Sequence, residues 1–171
     1  TPGQLTQHLI DRATDAAMTP MSAEPTRYNF LIPGPVRQLE ATGKKICYLG
    51  VTKEIVDKLN DKFDATWIHV TLPPNTLPHQ DEPLGVGFNR AYKAAHADFS
   101  EETAYKLVKA VAEIGPKMKE LHALWNIWNP ELMTCGLSEE NTHPGAIRAY
   151  KELGWWDLTK KCEPMTYPEV N

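Results

Sequence analysis

Two proline-rich stretches set the strongest limit on how this 171-residue chain can fold. Residues 19–35 and residues 73–83 hold four prolines each. Proline has no N–H donor, and the residue before it avoids the helical region, so neither stretch can form the interior of a helix. We predict loop or edge structure at 19–35 and a constrained loop at 73–83. Regular elements must therefore lie between and beyond these two stretches.

Several short apolar patterns predict strands. In residues 66–72, Ile68, Val70 and Leu72 alternate with Trp67, His69 and Thr71, which is typical of a half-buried strand. Residues 46–51 and 84–88 also predict strands, and residues 15–18 predict a short buried strand that leads into the first loop. The two glycines within 84–88 predict a bulge, or the close approach of another backbone or a ligand.

Helical spacing and end signals predict the helices. A short first helix carries Leu5, Leu9 and Ile10, and later helices are predicted at 35–40, from Thr52 to residue 59, from Ser100 to residue 114, and from Pro144 to residue 153. In the helix after Thr52, we expect Ile55, Val56 and Leu59 to face inward. A tryptophan-rich helix is predicted from Met118 to Trp128. Strands and helices alternate in the first half, which favours an α/β fold with a mixed or parallel sheet.

Composition and motifs exclude several functions. A net charge of -4 argues against a nucleic-acid partner, and no apolar run approaches the roughly 18 residues of a membrane span. The sequence holds no zinc-protease, hydrolase-elbow, Walker or dinucleotide motif. His79 and Asp81 are the nearest approach to a metal-ligand pair, although loop residues of these types are usually just solvated. We expect no enzyme activity, no metal and no cofactor.

Five stretches, in the right order, resemble one family. The clearest is residues 141–154, where His-Pro-Gly-Ala is followed by Tyr-Lys-Glu-Leu-Gly; the others are residues 9–17, 41–59, 72–77 and 100–111. Together they are similar to the TAXI-type solute receptors of TRAP (tripartite ATP-independent periplasmic) transporters. The 141–154 segment carries no special chemistry, so we interpret it as a marker of the family and not as a site.

The resemblance implies the C-terminal portion of a two-lobe, type II-like periplasmic-binding-protein fold. Residues 1–75 would form the α/β part of ligand-binding lobe 2, and residues 76–171 a crossover strand and the helical return to lobe 1. The implied function is capture of a small, carboxylate-bearing solute in the cleft between lobes, for delivery to the membrane permease subunits. The protein would be periplasmic, its signal peptide removed. The alternative is a non-catalytic interaction or assembly module that derives from such a receptor and could form oligomers.

The resemblance also indicates two loops as the ligand-binding site. One loop comprises Thr19, Pro20, Met21 and Ser22. In it, the hydroxyl groups of Thr19 and Ser22 could donate hydrogen bonds. The other loop comprises Asn75, Thr76 and Leu77. The alternative is that both are ordinary turns. Two residues depart from the family pattern, one in the 9–17 stretch and one in the second loop. Arg12 replaces a turn glycine, so that turn must avoid positive φ or carry strain, and Leu77 replaces a tyrosine of the cleft.

The three cysteines, Cys47, Cys135 and Cys162, are too widely spaced for a metal knuckle. We expect three free and mostly buried thiols, with Cys47 in the strand at 46–51. In a periplasmic setting, Cys135 and Cys162 could instead form a disulfide.

Overall fold

A computed structural model describes residues 2–24, 29–157 and 162. These residues form two compact units, a first unit within residues 1–90 and a second unit within residues 91–163. The first unit contains α1 (Pro2–Ile10), β1 (Ser22–Glu24), β2 (Asn29–Leu31), α2 (Gly34–Ala41), α3 (Lys53–Phe63), β3 (Ile68–Leu72) and β4 (Leu84–Phe88). The second contains α4 (Glu101–Ile114), three 3₁₀ segments and α5 (Pro144–Glu152). The predicted assignment of residues 1–75 and 76–171 to receptor lobes stays a prediction.

Both sheets in the described residues are antiparallel pairs of neighbouring strands. β1 pairs with β2, and β3 pairs with β4 from Ile68 opposite Phe88 to Leu72 opposite Leu84. The mixture of helices and strands is consistent with a fragment of an α/β fold. The expected mixed or parallel sheet is not found among these residues, because two of the strands predicted for it do not form.

Those two predicted strands fail for different reasons. Residues 15–18 are a short apolar run that finds no partner strand, and the side chain of Met18 is 80% exposed. Residues 46–51 lie beside β4, but they share with it only the hydrogen bond from Val51 N to Gly85 O, at 2.9 Å. Residues 91–96 are exposed and form no strand.

One apolar cluster organises the first unit. Val70 and Leu72, from the predicted inner face of β3, are buried together with Leu77. Partly buried side chains pack around them, namely Met21, Phe30, Ile32, Tyr48, Ile68, Leu84, Val86 and Phe88. The alternation in residues 66–72 therefore predicted the buried face of this strand correctly.

Gly85 in β4 lies against the backbone of another segment, which is one of the alternatives that its sequence predicted. A Cβ atom on Gly85 would lie 2.2 Å from the carbonyl oxygen of Val51. The same oxygen lies 3.1 Å from the Nε2 atom of His69, in hydrogen-bonding range. Segment 46–51 can cross β4 here only because Gly85 has no side chain.

Helix α3 begins as predicted, but only one of its three predicted inward side chains is buried. The hydroxyl of Thr52 accepts a hydrogen bond from Ile55 N, which satisfies one of the free N–H groups of the first turn. Val56 is 2% exposed, whereas Ile55 and Leu59 are 45% and 41% exposed. The predicted inner face is therefore right for Val56 and wrong for the other two, because little of the first unit packs against this helix.

Small residues let α4 and α5 approach closely in the second unit. A Cβ atom on Gly145 would lie 2.0 Å from the carbonyl oxygen of Glu101, and Ala104 and Ala149 are both buried. The hydroxyl of Ser100 accepts a hydrogen bond from Thr103 N and caps α4 as predicted. None of the described helices is long and apolar enough to cross a membrane.

The predicted tryptophan-rich helix is wrong. The chain forms 3₁₀ segments at Gly115–Glu120, Ala123–Ile127 and Pro130–Leu132 instead of one α-helix. His122 separates the first two with an extended backbone, and its ring accepts a hydrogen bond from Leu124 N. Gly115 lies under the ring of Trp128, where a Cβ atom would come within 2.8 Å.

The cysteines differ from the leading prediction. Cys135 and Cys162 form a disulfide with a Cα–Cα distance of 5.7 Å, so the alternative holds. Cys47 is a free thiol as expected, but it is exposed, because segment 46–51 is not enclosed in a sheet.

Arg12 shows how the replaced turn glycine is accommodated. Its backbone adopts a φ of 58°, in the left-handed region just after α1. Of the two predicted outcomes, positive φ with strain is therefore the one that occurs. A residue with a Cβ atom costs about 1 kcal/mol in this conformation compared with glycine.

Candidate functional site

The second predicted loop is built around a buried glutamine. Gln80 is 5% exposed, and its Oε1 atom accepts hydrogen bonds from Thr76 N at 3.1 Å and Leu77 N at 3.0 Å. Its Nε2 atom donates to Pro73 O at 2.9 Å and to Glu82 O at 2.6 Å. One amide group therefore satisfies backbone groups at both ends of the proline-rich loop and fixes its conformation.

This arrangement decides which predicted residues of the loop face solvent. Leu77 belongs to the apolar cluster, and the hydroxyl of Thr76 donates to Pro73 O at 2.7 Å. Asn75 is exposed and has a φ of 63°, a left-handed conformation that asparagine tolerates better than most residues. Of the three predicted residues in this loop, Asn75 is therefore the one whose polar side chain is open to a ligand.

The first predicted loop leads into β1. Thr19 is half-buried, Pro20 is exposed, and Ser22 is the first residue of the strand, opposite Leu31. Met21 packs against the same cluster that contains Leu77. The apolar members of both loops thus share one core, while no hydrogen bond between the loops occurs in the described residues.

Sequence reasoning missed Gln80, although one signal could have found it. A chain segment with four prolines between 73 and 83 has many backbone carbonyl groups and few N–H groups to satisfy them. An amide side chain is the residue type that can donate and accept at once. Gln80 is the amide side chain nearest the middle of that segment.

The His-Pro-Gly-Ala stretch has a structural role at the start of α5. The Nδ1 atom of His143 accepts a hydrogen bond from Gly145 N, so Nε2 carries the proton and donates to Phe99 O at 2.8 Å. The ring also lies edge-on to Phe99. His143 thus caps α5 and ties it to the residues before α4, and Gly145 allows the close contact described above.

Charged groups join the outer faces of α4 and α5. Arg148 donates to Glu101 and Glu102, at 3.2 and 2.8 Å, and its guanidinium carbon lies 4.3 Å from the centre of the Tyr105 ring. Hydrogen bonds from Arg148 and Lys106 lower the pKa of Glu102. Tyr105 donates to Glu152 at 2.6 Å, and this bond raises the pKa of the tyrosine.

These ion pairs limit what the second unit can bind. An open depression beside α5 is lined by Glu139, Pro144, Ile147, Arg148, Lys151 and Glu152. Arg148 is paired as above, and Lys151 lies 3.3 Å from Glu139. The two cations of this depression are therefore already neutralised by glutamates of the same chain, which makes it a poor site for an anion.

Comparison with known protein families gives one match. The model of the NMT1-like family matches residues 4–154. The chain belongs to the NMT1-like family. This is a periplasmic binding-protein-like family, so the resemblance to solute receptors is correct at that level. Comparison with curated proteins gives no match.

The match to the NMT1-like family covers both predicted loops and the start of α5. Loops that project from a packed core are where binding proteins place their ligand contacts. The described residues contain no group of three His, Cys, Asp or Glu side chains able to hold an ion. His79 and Asp81 are both exposed.

Proposed function

We propose that this NMT1-like protein is an extracytoplasmic solute-binding receptor of a TRAP-type transporter, of the TAXI kind. It would capture a small carboxylate-bearing solute and deliver it to the membrane permease subunits without chemical change. The observation that carries the proposal is the family match over residues 4–154. The five stretches similar to TAXI receptors support the finer assignment.

The two loops on the apolar cluster supply the proposed ligand contacts. Thr19 and Ser22 offer hydroxyl donors, and Asn75 offers an amide donor. Uncharged donors of this kind bind a carboxylate through hydrogen bonds. Leu77 and Met21 would hold the loops on the core, and Gln80 would keep the second loop in one conformation before ligand arrives. Such preorganisation lowers the entropy cost of binding.

Titration calorimetry tests this assignment. Small mono- and dicarboxylates are titrated into the protein, and the Thr19→Ala/Ser22→Ala double variant is compared with Thr66→Ala, an exposed position outside both loops. We expect at least tenfold weaker binding in the double variant and unchanged binding in the control, since each lost hydrogen bond to a charged group costs roughly 1.5–3 kcal/mol. Equal affinities in all three proteins would remove Thr19 and Ser22 from the site.

The compartment has its own test. The Cys135–Cys162 disulfide supports a periplasmic location, because disulfides persist in oxidising compartments. Protein alkylated without reduction should carry one label, on Cys47, and protein reduced first should carry three. Three labels without reduction, in protein taken from its natural host, would contradict both the disulfide and the location. No ligand together with concentration-dependent oligomers would favour the assembly-module alternative.

A further inference from the structure

Two β-turns of the same kind follow each other in the proline-rich loop of residues 73–83. They comprise residues 73–76 and residues 77–80, and in each the N–H of the fourth residue donates to the carbonyl of the first, at 3.3 and 3.2 Å. The second residue of each turn is a proline. The third residue is Asn75 in one turn and His79 in the other, with a φ of 63° and 61°. Proline followed by a left-handed residue is typical of a type II turn.

Glycine is the usual third residue of such a turn, because it adopts a positive φ without a steric cost. Asparagine and histidine occur with positive φ more often than most residues, but each carries a Cβ atom and costs more there than glycine. The loop therefore keeps a side chain at both places where glycine would fit best. Backbone strain of this kind, held in place by its surroundings, is a feature of ligand-binding segments.

The two turns are joined to each other and to the rest of the first unit through other groups. Asn75 N donates to Gln80 O at 2.7 Å, and the hydroxyl of Tyr48 donates to Pro78 O at 2.9 Å. The four hydrogen bonds of the Gln80 side chain hold the segment between the turns. The side chains of Asn75 and His79 take no part in this: both residues are exposed, and neither side chain forms a hydrogen bond or ion pair with another described residue.

We propose that His79 is a further ligand contact of this loop, and that its imidazole N–H and the Asn75 amide together donate hydrogen bonds to the carboxylate of the solute. This inference rests on the proposed receptor function and adds to it a residue outside the two predicted sets. An imidazole has a donor nitrogen in both its neutral and its charged form. Two donors on turns of fixed conformation suit the two oxygen atoms of a carboxylate.

The charges of the loop indicate how the carboxylate is held. Asp81 and Glu82 follow the second turn, and both are exposed, so water and salt screen their repulsion of an anion. Residues 73–83 contain no lysine or arginine. The loop therefore holds the carboxylate by directed hydrogen bonds and not by an opposite charge, and the loss of one donor should be felt directly in the affinity.

Substitution by glycine separates a binding role of His79 from a structural one. His79→Gly relieves the left-handed backbone and should raise the midpoint of thermal unfolding by about 2–4 °C. In titration calorimetry with acetate, lactate and succinate, the same variant should bind at least tenfold more weakly than the parent protein. A substitution that stabilises the fold and weakens binding is the signature of a side chain kept for its ligand.

Two further variants serve as controls. Asp64 is exposed, has a φ of 48° and lies at the end of α3, outside the loop. Asp64→Gly should therefore gain stability as His79→Gly does, and it should bind as the parent protein does. His79→Asn tolerates the left-handed backbone and keeps an amide donor, so it should lose less affinity than His79→Gly.

The results distinguish His79 from the receptor function as a whole. Undiminished binding by His79→Gly would overturn the role of His79 and leave the proposed function in place. A fall in stability with His79→Gly, together with a rise with Asp64→Gly, would show that the ring serves the fold and would also overturn it. If the parent protein binds none of the three carboxylates, the carboxylate ligand of the proposed function is contradicted, and the role of His79 falls with it.

Discussion

The two units of this chain reach a stable structure by different means. In the first unit, large apolar side chains from the β3–β4 pair form a cluster, and polar side chains such as Gln80 and Tyr48 fix loops upon it. In the second, small residues allow two helices to touch, ion pairs join those helices, and a disulfide links two residues outside them. The predicted binding loops therefore lie in the unit where side-chain hydrogen bonds fix the backbone. The most recognisable sequence motif, residues 141–154, lies in the unit where a glycine without a side chain allows two helices to pack closely.

The largest expected effect is in the helix pair. Gly145→Ala places a Cβ atom against the backbone oxygen of Glu101, which cannot rotate away. We expect a loss of about 3 kcal/mol from the second unit, despite the better helix propensity of alanine. Four of the five tryptophans lie in this unit, so denaturation followed by tryptophan fluorescence reports it. Gly34→Ala in α2, with no atom within 4 Å, is the control and should be neutral; equal effects of the two changes would refute the close approach.

In the first unit, the corresponding change removes the Gln80 side chain, which forms four hydrogen bonds within the loop. Gln80→Ala removes four hydrogen bonds and leaves Leu77 N and Glu82 O without a partner among the described residues, and we expect about 2 kcal/mol of destabilisation. The amides of Thr76 and Leu77 should exchange with solvent faster than in the parent protein, while those of α4 stay protected. Gln38→Ala, at an exposed position of α2, should change neither set. Unchanged exchange at Thr76 and Leu77 would mean that other contacts hold the loop.

A smaller effect of opposite sign is expected at the end of α1. Arg12→Gly relieves a left-handed backbone and should stabilise the first unit by about 1 kcal/mol. Arg12→Lys keeps the Cβ atom and should leave stability unchanged. Thermal unfolding measures both variants. A destabilising Arg12→Gly would show that the entropy of the unfolded glycine chain outweighs the relief of strain.

The smallest expected effect concerns high pH. Burial raises the pKa of Tyr150, and burial together with the nearby Glu40 raises that of Tyr48. The unfolded chain loses these protons near pH 10 while the folded chain keeps them, so the contribution of these two tyrosines to stability is constant below pH 10 and falls above it. Tyr150→Phe should reduce this fall in the second unit only. A pH profile that the substitution leaves unchanged would exclude Tyr150 as its cause.

Much of the local structure could be predicted from sequence, because the signals involved are local. Thr52, Ser100 and the residues before Pro144 begin helices as expected, and β3 buries the predicted face. Long-range partners could not be predicted. Residues 46–51 have the composition of a strand but lack a neighbour, and Ile55 and Leu59 have helical spacing but no surface to cover them.

The candidate site was predictable in position but not in detail. Both loops lie at the apolar cluster, yet nothing in their composition indicates that Leu77 is buried while Asn75 is exposed. That division depends on Gln80, whose contacts span residues 73 to 82 and exist only once the loop has closed.

The two glycines of β4 should differ in the substitutions that they tolerate among related sequences. At Gly85 any side chain would meet the fixed carbonyl of Val51, whereas at Gly87 a Cβ atom would lie 3.1 Å from the ring of Trp67, which is 40% exposed and can shift. As related chains drift apart, alanine or serine can enter position 87 at little cost. Position 85 cannot change unless the course of residues 50 and 51 changes with it, so the two substitutions would have to appear together.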